Sequence, residues 1–586
     1  MLDTPAFLDV AHSATGRRWV GPSAATERAG LAVAQALDAP EVLGRVLAAR
    51  GVAPGDAPAY LEPTLRDLMP DPSTLPDMDA AAERLARAAS TAERVAVFGD
   101  YDVDGAASAA LLARWLRGFG VTATVHIPDR IEDGYGPNEP AMRALAARHG
   151  LIVCVDCGSV SEGPIAAARA AGADVLVVDH HLCEAPPPSA LAVVNANRAD
   201  AGPGPTQLCA AGVVFLLLVA ANRALRRDGR AGPDLLGLLD LVALATVADV
   251  APLTGLNRAL VRQGLAVMAQ RRRPGLRALA DVARLSARPT AFHLGFLLGP
   301  RVNAGGRIGE ASLGARLLAT EDEAEAAALA ARLDALNADR RAIEAAVLEA
   351  ALAQAEARGA DGPLAWAAGE GWHPGVVGIV ASRLKERFNR PAVVIGLHGD
   401  AGVGSGRSID GVDLGASVAR LAAEGLALKG GGHRMAAGLS VAADQVEAAM
   451  ARLGALLDRQ GAARGGPTDL RLDGALAAGG ATPALCDMLE AAGPWGAGAP
   501  APRFAFAGLS VRRVSPMGAA HLRISAGDAS GALEAVAFRA AEGPLGAFLR
   551  AVEGGRAHLA GRLERDDWGG RARVRLLLDD AAPAGA

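Results

Sequence analysis

The sequence has no long apolar run that is free of charge, although 51% of its 586 residues are hydrophobic. The longest candidate, residues 235–253, contains Asp240 and Asp249, so we expect a buried helix there and no membrane span. The first ten residues, MLDTPAFLDV, lack a basic region followed by an apolar stretch, so we expect no secretory signal. These absences argue against a membrane protein and against a secreted one.

Cysteine is also scarce, with five residues in the whole chain. A small and odd number does not provide a disulfide framework, which is typical of a protein from a reducing cytoplasm. Cys154 and Cys157 have the spacing of a zinc-binding pair, and Cys183 lies close to two histidines. Within a strand, however, positions i and i+3 face opposite sides, and the sequence has no second such pair. We therefore expect the cysteines to be small core residues.

Lysine is almost absent, since Lys385 and Lys429 are the only two and all other basic side chains are arginines. Together with the frequent Ala and Gly, this indicates a GC-rich bacterial coding bias and nothing about function. The net charge is −5, whereas a nucleic-acid-binding protein is usually basic. A group of metal-binding carboxylates would add negative charge that bound cations offset, so a nucleic-acid substrate is not excluded.

The order of apolar segments predicts several domains, as a chain of 586 residues requires. Short apolar strands alternate with helices, which predicts an α/β domain with a parallel sheet covered on both faces. A polar stretch with helical spacing follows and would span roughly 55 Å. Five alternating strands near the C-terminus, with a hairpin turn at residues 567–570, predict a small barrel of the OB type. The expected divisions are an N-terminal helical region (1–75), a parallel-sheet domain (76–320), a connector helix (321–360), a smaller α/β domain (361–463) and the barrel (464–586).

The first chemical motif is Asp100-Tyr101-Asp102-Val103-Asp104-Gly105, between an apolar strand and a helix. Carboxylates at alternate positions of an extended segment point to one side, and the resulting charge is costly unless cations neutralise it. An acidic surface turn is the alternative interpretation. The position at the carboxyl end of a strand favours a ligand site, because ligands bind there in open α/β sheets.

Three further acidic or imidazole groups support this interpretation. Asp156 and Asp179-His180-His181 each follow an apolar strand, and Asp249 lies in the segment ATVADVAPL. Oxygen-rich ligands with one or two imidazoles suit Mg²⁺ or Mn²⁺ better than zinc. Two such ions about 3.5–4 Å apart can clamp a phosphoryl centre. The residues therefore predict a two-metal phosphoesterase.

In this order, the motifs GDYDVDGAASAALL, VDCGS, DHH and LATVADVAPL resemble those of the DHH phosphoesterase superfamily. Further segments resemble the RecJ family within it: IPDRIEDGYG (127–136), LCAAGVVF (208–215), GPRVNAGGRIGEASLGARLL (299–318) and GGGHRMAAGLS (430–440). The likeness covers nearly the whole chain from about residue 40. One departure is Val194-Asn195-Ala196-Asn197, where the family usually has Asn-Pro, and it puts the local loop in doubt rather than the metals.

The resemblance implies a DHH catalytic domain, a DHH-associated (DHHA1) substrate-binding domain and a C-terminal OB-fold for single strands. It also implies a role for each residue of the metal site. Asp156 would bridge two cations, Asp100 would orient its neighbours, and His181 would act in catalysis by facing the scissile phosphate. The expected metal ligands are Asp102, Asp104, Asp156, His180 and Asp249.

A second set of residues would bind backbone phosphates or the chain end. Glycines such as Gly431 and Gly432 let the backbone approach a phosphate closely, and arginine suits phosphate by its bidentate geometry. Arg301 and Arg307 could equally form interdomain salt bridges. The complete set is Arg130, Arg301, Asn303, Arg307, Ser405, Arg407, Gly431, Gly432 and His433.

By resemblance, the expected activity is degradation of single-stranded DNA from 5′ to 3′ into mononucleotides, in DNA repair and recombination, with two Mn²⁺ or Mg²⁺ ions. We expect a monomer in a bacterial cytoplasm, associated with the nucleoid and not with membranes. A single-strand-binding protein and a RecQ-like helicase are the partners that the resemblance suggests. Two alternatives stay open: a DHH phosphodiesterase for short oligonucleotides, and a catalytically inactive RecJ-like scaffold for replication.

Overall fold

The computed structural model describes residues 5–130, 132–359, 361–466, 468–566 and 572–584. The hairpin turn expected at residues 567–570 lies outside the described residues. The chain folds into a larger unit, Pro70–Ala251 with Gln263–Pro467, and a smaller unit, Met1–Met69 with Pro252–Arg262 and Thr468–Ala586. Among the described helices, none combines the length and apolar content that crossing a bilayer requires.

A five-stranded parallel sheet lies at the centre of the larger unit, as the alternating pattern predicts. Its three middle strands are the apolar runs VAVFG, LIVCV and DVLVV, which are almost entirely buried. Burial on both faces explains why these strands are apolar throughout rather than at every second residue. In spatial order the strands are Thr124–His126, Val95–Gly99, Leu151–Val155, Asp174–Val178 and Ala192–Val194.

Helices cover this sheet on both faces. Phe98, Cys154 and Val177 pack with residues of two helices on one face, and because successive strand residues alternate, their neighbours point to the other face. The two helices are Glu139–Ala146 and Glu162–Ala170, and a second group packed on the strands is Met78–Ser90, Val103–Arg117 and Ala210–Arg227. Further helices along the chain are Leu239–Ala248, Gly255–Met268, Pro274–Val282, Ala291–His293, Gly299–Ile308 and Leu313–Ala319, with a π-helical turn at Leu294–Leu298.

The expected connector helix is present as Glu323–Arg358, which has 36 residues and would be about 54 Å long at 1.5 Å per residue. Asp322 caps its N-terminus by accepting a hydrogen bond from the backbone N–H of Glu325. Its first half packs against helices that follow the parallel sheet, and its second half packs into the core of the smaller α/β domain. The helix therefore links the two lobes of the larger unit.

The second lobe contains a mixed five-stranded sheet. Its edge strand Lys429–His433 is the glycine-rich motif noted in the sequence. Its spatial order is Lys429–His433, Ala436–Ala442, Ala401–Arg407, Ala392–His398 and Ala365–Glu370. Its helices are Pro374–Phe388, Leu414–Ala423 and Val446–Asp458.

The smaller unit contains the expected barrel, in which five strands close because the first pairs with the last. Four of its five strand pairs are antiparallel and one is parallel, and closure of the ring removes the open edges that a flat sheet would have. Phe504, Phe506 and Leu559 fill its core, so two of the scarce aromatic residues are structural. In ring order the strands are Phe504–Met517, His521–Asp528, Gly531–Ala537, Arg573–Pro583 and Arg556–Asp566.

Short elements complete both units. The remaining strands are Arg18–Val20, paired with Asp469–Arg471, and Ala475–Leu476, which extends the barrel. The remaining α-helices are Ala24–Leu37, Glu41–Ala48, Ala57–Leu61, Leu65–Leu68, Pro483–Ala491 and Pro544–Ala551. Single 3-10 turns lie at Phe7–Asp9, Pro72–Thr74, Leu236–Leu238, Ala443–Gln445, Ala462–Arg464 and Ala478–Gly480.

Candidate active site

The turn between the strand Val95–Gly99 and the helix Val103–Arg117 positions the first carboxylates. Asp102 is the N-cap of this helix, and its Oδ1 accepts hydrogen bonds from the backbone N–H groups of Asp104 (2.8 Å) and Gly105 (3.1 Å). A side chain at Gly105 would clash with the backbone of Asp100. Glycine therefore permits the tight turn that keeps Asp100, Asp102 and Asp104 together.

Asp104 is fixed by a second helix that sequence analysis did not connect with it. Its two carboxylate oxygens accept hydrogen bonds from the backbone N–H groups of Ala210 (2.6 Å) and Ala211 (2.8 Å), at the start of the helix Ala210–Arg227. The positive end of a helix stabilises an anion there. This explains how a carboxylate with only 1% exposure stays in place while its remaining lone pairs can bind a cation.

Two positions of the site have left-handed backbone. Asp156, directly after the strand Leu151–Val155, has φ 60°, and so does Val250, directly after Asp249. Such a conformation costs on the order of 1–3 kcal/mol for a residue other than glycine and is found mostly at functional sites. At Asp156 this conformation lies in the turn that directly follows the strand, and the carboxylate there is 3.2 Å from Nε2 of His180.

The histidine pair is held by its neighbours. Asp179 is buried, and its Oδ1 accepts hydrogen bonds from the backbone N–H of His180 (2.7 Å) and from Nδ1 of His181 (2.8 Å). The side-chain amide of Asn195 donates to the carbonyl of His181 (2.8 Å), and that of Asn197 donates to the carbonyl of His180 (2.6 Å). Both asparagines lie in the loop that departs from the family pattern, and both support the pair.

His180 lies between the carboxylates. Its Nε2 is 3.2 Å from Oδ1 of Asp156 and 3.8 Å from Oδ2 of Asp104. Its Nδ1 is 3.9 Å from Oδ2 of Asp249. The fold therefore brings together groups that come from four separate segments of the chain.

Three overlapping groups of potential ligand atoms result, in each of which all atoms lie within 4.8 Å of one another. Asp156 belongs to two of them and His180 to two, so neighbouring groups share a residue. The groups are Asp100/Asp102/Asp156, Asp104/His180/Asp249 and Asp156/His180/His181. All five expected metal ligands are included, and Asp100 lies among them, so its role as an orienting group stays a prediction.

The electrostatics of this cluster favour bound cations. Burial and the charge of Asp102 raise the pKa of Asp100 to about 8. Burial and the charges of Asp104 and Asp102 raise the pKa of Asp249 to about 8. Oδ1 of Asp100 is buried and has no hydrogen-bond partner among the described residues. Crowded carboxylates with an unpartnered buried oxygen and an imidazole fit oxygen-preferring divalent cations.

The pKa of each partner in the Asp179–His181 pair is shifted by the other. Burial alone would raise the pKa of Asp179, but the hydrogen bond and charge of His181 lower it. Burial alone would lower the pKa of His181, but the hydrogen bond and charge of Asp179 raise it. Each partner therefore favours the charged form of the other, and the hydrogen bond orients the His181 ring beside the carboxylate cluster.

The alternative of a structural zinc site gains no support. All five cysteines are free and buried. Cys157 donates from Sγ to the carbonyl of Val155 (3.4 Å), and Cys183 donates to that of Ser159 (3.3 Å). Within the described ranges, no group of potential metal ligands includes a cysteine. The cysteines are small core residues, as expected.

The candidate phosphate-binding residues of the helix Gly299–Ile308 have different environments. Arg301 donates from Nε to Oδ1 of Asp334 on the connector helix (2.8 Å), which is the salt bridge considered as its alternative role. Asn303 accepts a hydrogen bond from the backbone N–H of Val103 (3.1 Å) and so holds the metal-binding turn. Arg307 is partly exposed and donates to the carbonyl of Gly375 in the second lobe (3.0 Å). Burial and the charge of Arg130 lower its pKa to about 10.

Arg130 and the residues of the second lobe form the rest of the set. The guanidinium of Arg130 lies 3.8 Å from the ring centroid of Tyr101 and donates to the carbonyl of Gly306 (3.1 Å). Arg407 donates to Oγ of Ser405 (3.0 Å), so these two share one location. Gly431 has open space where a side chain would be, and Gly432 has φ 144°. His433 is exposed at the end of the same edge strand.

Tyr135 is a site residue that the sequence did not predict. Its hydroxyl donates to the backbone carbonyl of Asp156 (3.0 Å) and lies 3.2 Å from Nδ1 of His181. It therefore joins a candidate metal ligand to a candidate catalytic residue. The motif IPDRIEDGYG contains it, but nothing in the local pattern indicates that this loop reaches the ends of the strands Leu151–Val155 and Asp174–Val178.

Three family models match the chain, and they agree with the observed architecture. They are the DHH family N-terminal domain at residues 94–246, the DHHA1 domain at 361–458 and the RecJ OB domain at 472–580.

Similar proteins extend over most of the chain. The single-stranded-DNA-specific exonuclease RecJ of Dickeya dadantii is 40% identical over 93% of this chain and 96% of its own length. The protein of the same name from Escherichia coli is 37% identical with the same coverage. The crystal structure of RecJ in complex with Mn²⁺ from Thermus thermophilus aligns with a TM-score of 0.80 and 31% identity, over 97% of this chain and 80% of that one. With a parallel sheet that ends in a cluster of carboxylates and histidines, a DHHA1 lobe and an OB barrel, the chain belongs to the RecJ family of the DHH superfamily.

Proposed function

We propose that this chain is a single-stranded-DNA-specific exonuclease that hydrolyses phosphodiester bonds with two divalent cations, Mn²⁺ or Mg²⁺. The observation that carries the proposal is the overlap of the ligand groups through Asp156 and His180. Sharing of residues between neighbouring groups is what a pair of cations a few ångströms apart requires. The RecJ of Thermus thermophilus has been crystallised with each of these ions.

The five proposed ligands divide around the bridge. Asp156 would contact both ions, and Asp102 and Asp104 would each hold one of them. His180 and Asp249 would complete the coordination shells of the ions. Bound there, the cations would supply Lewis-acid activation of water and neutralisation of charge on the phosphate. The backbone N–H groups of Ala210 and Ala211 would fix the orientation of the Asp104 carboxylate throughout.

His181 would bind the scissile phosphate. Asp179 holds Nδ1 of the ring, so Nε2 is the nitrogen left to donate to a phosphate oxygen. Asp100 would orient its neighbours by occupying the buried side of the cluster. Hydrolysis breaks the bond between phosphorus and the 3′-oxygen of the terminal nucleotide, and water supplies the new oxygen on phosphorus.

The second lobe would bind the backbone of the strand and set its direction. The glycine-rich edge strand with His433, together with Ser405 and Arg407, offers phosphate-sized contacts with little side-chain bulk. Arg130 and Arg307 would add positive charge between the lobes. We propose a 5′-to-3′ direction, 5′-mononucleotides as products, and the domain boundaries 76–320, 361–463 and 464–586.

The partners and setting complete the proposal. By resemblance to the family, we propose a role in DNA repair and recombination. We also propose that the protein acts as a monomer and cooperates with a single-strand-binding protein and a RecQ-like helicase. The OB barrel would retain the long strand by backbone electrostatics and stacking.

End-labelled DNA tests the proposed function. Single-stranded and duplex substrates, each labelled at the 5′ or the 3′ end, are incubated with the protein and Mn²⁺, with and without a chelator. The expected result is early loss of the 5′ label as a mononucleotide from single strands only, and no loss with chelator. Equal degradation of the duplex would contradict the specificity, and early loss of the 3′ label would contradict the direction.

A further inference from the structure

Two phenylalanines of the larger unit stack on each other in solvent. The side chains of Phe292 and Phe296 are 63% and 73% exposed. Their ring centroids are 5.0 Å apart and their planes differ by 25°. Phenyl rings are usually buried in a core, whereas in the part of the chain that the structure describes no further ring stacks on the outer faces of these two. We call these two residues the phenyl pair.

The segment that carries the phenyl pair packs against a helix that leads to the candidate metal site. Phe296 is part of the π-helical turn Leu294–Leu298, which packs on the helix Leu239–Ala248 that ends at Asp249. A Cβ atom on Gly295 would be 3.3 Å from Cγ1 of Val247, which marks this close contact. Single π-helical turns occur frequently at functional sites.

The surrounding segment favours a polyanion. Residues 282–309 contain four arginines and no Asp or Glu, although the chain has 64 acidic residues among 586. Arg301 is neutralised by Asp334. Arg284 and Arg288 are exposed, and no ion pair joins either of them to an acidic side chain in the part of the chain that the structure describes. Exposed positive charge that lies four and eight residues before Phe292 in the chain, together with an exposed aromatic stack, matches single-stranded nucleic acid, which presents phosphates and unstacked bases together.

We propose that the phenyl pair is a stacking platform for the bases of a single DNA strand next to the metal site, with Arg284 and Arg288 attracting its phosphates. This inference rests on the proposed function and deepens it, because it names residues that hold the substrate near the scissile bond. Stacking tolerates any sequence, since every base has a π face. The platform therefore suits an enzyme that must advance along a strand without regard to sequence.

Binding of two strands that differ only in their bases tests the platform. The probes are a fluorescently labelled 20-nucleotide oligothymidylate and a fully abasic strand of the same length, measured in chelator so that neither is cleaved. The double variant Phe292→Ala/Phe296→Ala should weaken binding of the oligothymidylate roughly tenfold or more. Its affinity for the abasic strand should stay within about twofold of the wild type, because the phosphate contacts remain.

Matched variants separate stacking from general apolar contact. Phe292→Tyr/Phe296→Tyr keeps both π faces and should bind as the wild type does, whereas Phe292→Leu/Phe296→Leu keeps apolar surface without π faces and should weaken binding. Leu236→Ala removes another exposed apolar side chain of the same unit and should change nothing. Unchanged thermal unfolding and Mn²⁺ binding of the double alanine variant would show that the fold is intact.

The outcomes are distinguishable. Wild-type affinity of the double alanine variant for oligothymidylate would overturn the platform and point to a protein partner for the phenyl pair, while the nuclease assignment would stand. Equal weakening for the abasic strand, or full affinity of the leucine variant, would overturn base stacking. A wild-type protein that degrades no single strand in Mn²⁺ would instead remove the proposed function.

Discussion

Replacement of Asp100 by Asn should stabilise the metal-free protein at neutral pH and lower its nuclease activity. Asp100 is 5% exposed, and no group within the described ranges makes a hydrogen bond with its Oδ1. Burial and the neighbouring charge of Asp102 disfavour its ionised form. An amide of nearly the same shape removes this charge and can donate a hydrogen bond to a neighbouring carboxylate.

The size of the stability change follows from the pKa of Asp100. This pKa is about 8 in the folded protein, against an ordinary value of 3.8. A raised pKa means that the folded state binds more protons than the unfolded state, so stability is lost as pH rises from about 4 to about 8. At pH 7 the difference is roughly three units at about 1.4 kcal/mol each, or about 4 kcal/mol. Asp100→Asn should recover a large part of this, which corresponds to an increase in Tm on the order of 5 °C.

Thermal unfolding in chelator at pH 5 and pH 8 measures the effect. The wild type should lose more stability than Asp100→Asn between these two conditions, and added Mn²⁺ should reverse the order at pH 8, because the complete cluster binds metal more tightly. Asp361→Asn, which removes an exposed carboxylate from a loop, is the control. A variant that is less stable than the wild type in chelator at pH 8 would refute the argument that the carboxylates repel one another.

Three further outcomes are expected. Asp156→Ala should lose nearly all nuclease activity while single-strand binding survives, as a gel-shift assay would detect; near-normal activity would rule out the bridging role. Mn²⁺ binding at pH 7 should release protons, because the pKa values of Asp100 and Asp249 are about 8. Calorimetry in buffers of different ionisation enthalpy would measure this release, and binding heats that do not depend on the buffer would contradict it. His433→Ala should slow turnover on every sequence alike, whereas an altered base preference in digests of mixed sequences would show that the second lobe contacts bases.

Much of the fold could be predicted because its signals are local. The runs VAVFG, LIVCV and DVLVV are apolar at every position except the first residue of the third, Asp174, as expected for strands that are covered on both faces. The long connector helix and the barrel likewise have periodic patterns within single segments. The parallel sheet then places the ends of its strands at one edge, so Asp102, Asp156 and His180 could be predicted to meet.

The support of the site could not be predicted in this way, because it depends on contacts between distant segments. The backbone N–H groups that hold Asp104 belong to Ala210 and Ala211, which lie 106 and 107 positions further along the chain. Asn303 accepts a hydrogen bond from the backbone N–H of Val103, which lies 200 positions earlier in the chain. Nothing in the pattern around either residue indicates which partner it will meet.

The sequence by itself determined which residue types are available and which strand ends they follow, because side-chain chemistry and strand periodicity are properties of short segments. Only the tertiary structure decided that Arg301 is neutralised by Asp334, that Tyr135 joins Asp156 to His181, and that the phenyl pair is exposed beside the helix ending at Asp249. These relations depend on how helices pack across hundreds of residues, and packing is a property of the whole core rather than of any one segment.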